Sequence, residues 1–219
     1  MRFSRVWLLL VGLVVPAVVS ADAGRLKDAQ DVLIDMAGAG DRGIPTDLIA
    51  SAKCLVVIPG VKKAALGVGG QYGRGYMTCR RPDGKTWSAP AGVRVEGGSV
   101  GFQIGASETD VVLVVRNERG VDRLLSSRFT VGVDAAVAAG PVGRRASAET
   151  DATMRAEILA YSHSRGAFAG ISLQGATLRD DADENRSLYG SELSNRAIVT
   201  GDRQVPTEAQ AFMATVAKY

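Results

Sequence analysis

Residues 87–115 read WSAPAGVRVEGGSVGFQIGASETDVVLVV, and this stretch decides the fold class. It is rich in Val, Ile and Gly, nearly free of strong helix formers, and punctuated at Pro90, Gly92, Gly97, Gly98, Gly101 and Gly105. Short β-prone runs bounded by glycine predict successive antiparallel strands, at 93–96, 99–106 and 111–116. Outward toward the N-terminus, 54–58, 66–70 and 71–80 have the same character, and Pro82-Asp83-Gly84 marks a turn. Toward the C-terminus, 129–137 and 167–178 read as strand, while 154–163 stays open between helix and strand. Helical spacing frames this centre. Residues 25–39 set Leu26, Ala29, Leu33 and Met36 on one face, with Asp28, Asp31 and Asp35 opposite. Segments 46–53, 119–126 and 181–189 read as shorter helices, and 207–217 as a terminal helix behind Pro206. The expectation is an α+β fold: a single domain with a mostly antiparallel curved β-sheet and helices at the N- and C-terminal ends.

The chain has 219 residues, 46% of them hydrophobic and 22% charged, which suits one globular domain with a real core. Its first residues read as a secretory signal peptide, residues 1–21. Arg2 and Arg5 make a positive start, residues 6–15 an apolar run, and small residues offer cleavage after Ala21 or Ala23. That run is shorter than the ~20 residues that cross a bilayer. The mature chain is therefore expected to be soluble and periplasmic or secreted. Arg2 and Arg5 leave with the signal, so 24 basic and 23 acidic residues remain. The apparent basicity largely vanishes, and with it any case for nucleic acid.

Charge distribution says more than the total. Residues 53–94 carry eight cations and the single acid Asp83, whereas residues 147–202 carry nine acids and five bases. Such a run is either an ordinary solvated face or a surface for anionic headgroups. The candidate contacts are Lys62, Lys63, Arg74, Arg80, Arg81 and Lys85. The two cysteines, Cys54 and Cys79, are an even pair in a chain expected to meet an oxidising space. They are either one disulfide between neighbouring strands or two buried thiols.

Signals for chemistry are weak. Gly97-Gly98-Ser99-Val100-Gly101 matches the nucleophile-elbow pattern, and Ser99, Asp134 and His163 follow in the triad's chain order. The elbow needs a strand-to-helix turn, but residues 100–105 alternate like a strand, so a glycine-rich β-turn is the better reading and a serine hydrolase the less favoured one. His163 is the single histidine, which leaves no multi-histidine metal site. Residues 181–192 begin like a calcium loop, but Arg186 stands where that loop needs Gly; a capped helix start fits better. Gly67 to Gly75 is glycine-rich yet matches no phosphate-loop pattern. No cofactor and no catalytic set is expected.

Many ordered pieces resemble one family. They are Ile44-Pro45, Val57-Ile58-Pro59, the run VGGQYGRG from Val68 to Gly75, Trp87-Ser88-Ala89-Pro90, Gly101 to Gly105, Thr109-Asp110-Val111-Val112, the AAGPVGR block ending at Arg144, Ser164 through Gly175, and Leu188-Tyr189-Gly190. Residues 25–219 are similar to the SYLF domain. The resemblance implies lipid binding, of phosphoinositides and in some cases actin among eukaryotic members, with no catalytic residue set. An exported chain would not meet actin, so an anionic lipid or membrane surface is the expected partner. An envelope protein–protein interaction module is the alternative.

Overall fold

A computed structural model describes residues 21–141, 155–164, 167–169, 173 and 175–219. The signal-peptide run of residues 1–20, residues 142–144 of the AAGPVGR block, Met154, and most of 165–174 lie outside the described residues. Helix α1 (Ala21–Gly38) and the short α2 (Thr46–Ala50) precede two very long strands, β1 (Cys54–Cys79) and β2 (Ala91–Val115). Helix α3 (Glu118–Leu124) follows, then strands β3 (Phe129–Thr130), β4 (Val137–Ala139), β5 (Ile158–Ser164), β6 (Ala167–Ala169) and β7 (Thr177–Asp180). Helices α4 (Ala182–Tyr189), α5 (Asn195–Val199) and α6 (Gln210–Val216) end the chain. The seven described strands form one sheet, antiparallel except for the β4–β5 pair. The expected α+β class is the observed one.

Six separate strand segments in the sequence turn out to be two continuous strands. Pro59-Gly60 and the central glycines bend β1 and β2 without ending them. The β1–β2 register shifts between Ile58 and Val61 and again between Leu66 and Val68, and Gly60 takes φ +56° at the first bulge. Two further corrections lie at 129–137, where a turn at 131–134 separates β3 from β4, and at 167–178, where Leu173, Gly175 and Ala176 between β6 and β7 are not strand.

A 26-residue strand would run roughly 85 Å if straight, far beyond the width of a domain this size. It bends until its ends meet. Cys54 and Cys79, the first and last residues of β1, are joined in a disulfide, and the Arg80 N–H donates to the Lys53 carbonyl at 2.7 Å. The expectation of a bridge between neighbouring strands is thus corrected to a bridge across one curled strand. Gly75 permits the close crossing: a Cβ there would lie 2.1 Å from the Val57 carbonyl oxygen.

Both faces of the curled sheet are covered. Cys54, Val56, Ile58, Val111, Leu113 and Val115 pack on one side with Leu124, Phe129, Leu178 and Ile198. Leu55, Val57, Tyr76, Val112, Val114 and Leu159 pack on the other with Leu26, Leu33 and Met36 of α1 and Phe212 and Val216 of α6. Two covered faces explain why 54–58 and 111–115 are unbroken apolar runs instead of alternating ones. The acidic side of α1, with Asp28, Asp31 and Asp35, is exposed.

Candidate binding site

The structure divides the six candidate cations into three settings. Arg74 is locked in place. Its guanidinium donates to both oxygens of Asp181, with Nη2–Oδ1 at 2.7 Å, and lies 3.5 Å from Glu184 Oε2. The bond to Asp181 raises the Arg74 pKa. Glu184 also accepts from the Tyr76 hydroxyl and from Arg25 of α1, so one buried carboxylate ties α1, β1 and α4 together. Burial first, then the Glu184 bond, pushes the Tyr76 pKa up. Glu184 reaches this position because Gly92 has no side chain; a Cβ there would lie 2.6 Å from the Glu184 Cβ. Asn185 completes the joint, accepting from the Gly92 N–H at 2.7 Å and donating to Asn195 Oδ1 at 2.9 Å.

Lys62 is exposed and faces Glu108 across the β1–β2 register. It borders a groove of about 690 Å³ in which Arg25, Lys62 and Arg74 are outnumbered by Asp28, Asp31, Asp35, Glu108 and Asp110. Lys63 is half-buried, and that burial lowers its pKa.

Arg80, Arg81 and Lys85 gather at the closed end of the hairpin. The disulfide sets this convergence, because it draws Lys53 beside Arg80 and Arg81. Together they border a cleft of about 580 Å³. Its floor is apolar: the Cys54–Cys79 bridge with Val121, Leu125 and Val199. The Arg80 guanidinium stacks over Trp87 at 4.3 Å and donates to the carbonyls of Ala50 at 2.8 Å and Tyr219 at 3.0 Å; burial lowers its pKa. Arg81 pairs with Asp202 at 3.0 Å and Lys53 with Glu118 at 3.0 Å. Both partner carboxylates are largely exposed, so these pairs are weak and exchangeable. Lys85 stands exposed in the turn. That turn is held by Asp83, whose carboxylate accepts from the Thr86 hydroxyl and from the Thr86 and Lys85 N–H groups. The Thr86 bonds hold its pKa down at about 2. Lys53 was not among the candidate contacts, although pairing the two cysteines on paper would have brought it in.

The chemical signals fall elsewhere. Ser99 pairs with Gly69 inside β2, so it occupies the middle of a strand and not the expected turn; its side chain lies outside the described residues. Asp134 accepts from the Thr130 N–H at 2.6 Å in the turn after β3. His163 sits in β5 opposite Asp110 and Phe168. In the calcium-like segment Asp181 is committed to Arg74, and Asp183 and Glu192 to Arg186. The glycine-rich run from Gly67 to Gly75 is paired strand, not a loop.

Comparison with known proteins adds a consistent signal. A family profile described as "Ysc84: Las17-binding protein actin regulator" matches residues 96–219. The chain is 38% identical over 172 residues to the SH3 domain-containing YSC84-like protein 1 of Rattus norvegicus, covering 78% of this chain and 49% of that protein. It is 35% identical over 171 residues to its Homo sapiens counterpart, covering 78% and 49%. It is 34% identical over 176 residues to the protein YSC84 of Saccharomyces cerevisiae, covering 79% and 37%. The chain thus spans half or less of the length of these relatives.

Proposed function

The chain belongs to the Ysc84 (SYLF) family, and from that premise we propose that it is a non-enzymatic module that binds anionic lipid headgroups at the cell envelope. The observation that carries this reading is the hairpin-end cleft. Lys53, Arg80 and Arg81 border a floor of disulfide, valine and leucine, and Lys85 stands exposed in the adjoining turn. A cationic rim over an apolar floor suits an amphiphile, with the phosphate at the rim and the glycerol or first methylenes below. The acidic groove between α1 and β1 suits it far less, so Lys62 and Arg74 on its border contribute little to this contact.

Each cation near an anionic bilayer adds about 1 kcal/mol, screened by salt. Replacing Arg81 and Lys85 by glutamine should therefore weaken binding by about 2 kcal/mol, roughly thirtyfold. Co-sedimentation with phosphatidylcholine vesicles containing phosphatidylglycerol checks this. Binding that disappears in high salt and in the double variant supports the reading; equal binding to pure phosphatidylcholine, or none to either, overturns it.

The signal-like start and the cystine both favour an exported protein. No described helix is long and apolar enough to cross a membrane. In that compartment a lipid surface, not actin, is the available partner.

A further inference from the structure

The two halves of the cystine at the floor of the hairpin-end cleft are not equally covered. Cys54 is fully buried, whereas Cys79 keeps 6% of its surface exposed, and both line the cleft. Three cations share that lining with one acid: Lys53, Arg80 and Arg81 against Glu118. Lys53 directly precedes Cys54, and Arg80 and Arg81 directly follow Cys79. Arg80 is fixed by the Ala50 and Tyr219 carbonyls and by Trp87. Lys53 and Arg81 hold only exposed carboxylates, which an incoming anion can replace. Thiol–disulfide exchange proceeds through a thiolate. Cations beside a cystine draw that anion in and stabilise the thiolate that leaves.

We propose that this cleft is a thiol–disulfide exchange site for small thiols that carry a second, anionic group, a carboxylate or a sulfonate. The anionic group rests against Lys53 and Arg81, and the thiolate attacks the Cys79 Sγ. A bond forms between the entering sulfur and Cys79, and the Cys54–Cys79 bond breaks. Its electron pair goes to the Cys54 Sγ, which takes from solvent the proton that the entering thiol gave up. The entering thiol is oxidised and Cys54 is reduced, so the products are a mixed disulfide on Cys79 and a free thiol at Cys54. This activity shares the cleft with the lipid reading but does not rest on it: the ligand differs, and the contact is covalent.

The test follows mixed-disulfide formation in the folded, oxidised chain by acid quenching and mass spectrometry. The probes are 2-mercaptoethanesulfonate and 2-mercaptoethylamine, which match in length and oppose in charge. Each rate per thiolate is divided by that thiol's rate with a small neutral disulfide. The anionic thiol should be favoured roughly tenfold or more at low salt, and the preference should shrink toward one at high salt. Peptide mapping should place the adduct on Cys79 and the free thiol on Cys54. K53Q/R81Q should lose most of the preference, and R186Q, outside the cleft, should keep it; far-UV spectra verify that each variant is folded. Absence of an adduct, or an adduct on Cys54, overturns the proposal. So does a rate that is blind to thiol charge and saturates with thiol concentration, as when a cystine is reached only through unfolding. The assay contains no lipid, so it can hold while vesicle binding fails, or fail while vesicle binding holds.

Discussion

Glu184 shows how one residue can hold three elements. Its buried carboxylate meets Arg25 of α1, Arg74 and Tyr76 of β1, from a position at the start of α4. Removing one partner of a buried ion cluster leaves the others uncompensated, which costs about 3–5 kcal/mol. Glu184→Gln should therefore lower the denaturant midpoint by an amount near the lower end, since Arg74 keeps Asp181. The buried tyrosines give a second test. Tyr76, Tyr161 and Tyr189 all have pKa values raised, chiefly by burial. A raised folded-state pKa favours the neutral phenol in the folded chain. The stability it contributes is present in full below the ordinary value of about 10 and is lost progressively as pH climbs above it. Of the five tyrosines, these three should ionise only as the protein unfolds in alkali. A single smooth absorbance titration at 295 nm, with all five ionising near pH 10 in a still-folded chain, would contradict this. Arg74 also marks a limit of reading residues in sequence. Its carboxylate partner lies 107 positions later, and a local charge run carries no sign of it.

At the scale of elements, most helices were legible, the short α5 (Asn195–Val199) was missed, and the strand boundaries were not legible. Residues 25–39 showed their apolar stripe plainly, because α1 presents a single face to the sheet. Asp181 was readable as a helix start, and it does accept from the Glu184 N–H. The strands misled for a physical reason. Glycine and proline usually end a strand, but here they let two strands curve while the ladder continues. Gly75 is the sharpest case. Gly75→Ala would drive a methyl group into the Val57 carbonyl, so it should destabilise by about 1–3 kcal/mol or more, as overpacking does; thermal melts would register it. On the helical side, Leu33 is fully buried against the sheet. Leu33→Ala should cost about 2–5 kcal/mol while leaving the hairpin-end cleft and its vesicle binding intact.

At the scale of the molecule, the fold is a curled sheet with one core on each side, and its circumference is closed by a cystine. The even cysteine count made the bridge thinkable from sequence; that both cysteines cap the same strand was invisible, because nothing local reveals how far a strand bends. In the chain-entropy account a loop of this size contributes about 3 kcal/mol. Cys54→Ser/Cys79→Ser should lose roughly that much, and it should also loosen the cleft, since Lys53, Arg80 and Arg81 are brought together by the same closure. The bridge has a mechanical consequence as well. A pull applied between the two ends of the protein passes through the sulfur atoms and bypasses the whole of β1. A single molecule stretched under oxidising conditions should release roughly 90 Å less contour length than the reduced one, because the longest strand of the sheet travels as a knot-free ring that force cannot unroll.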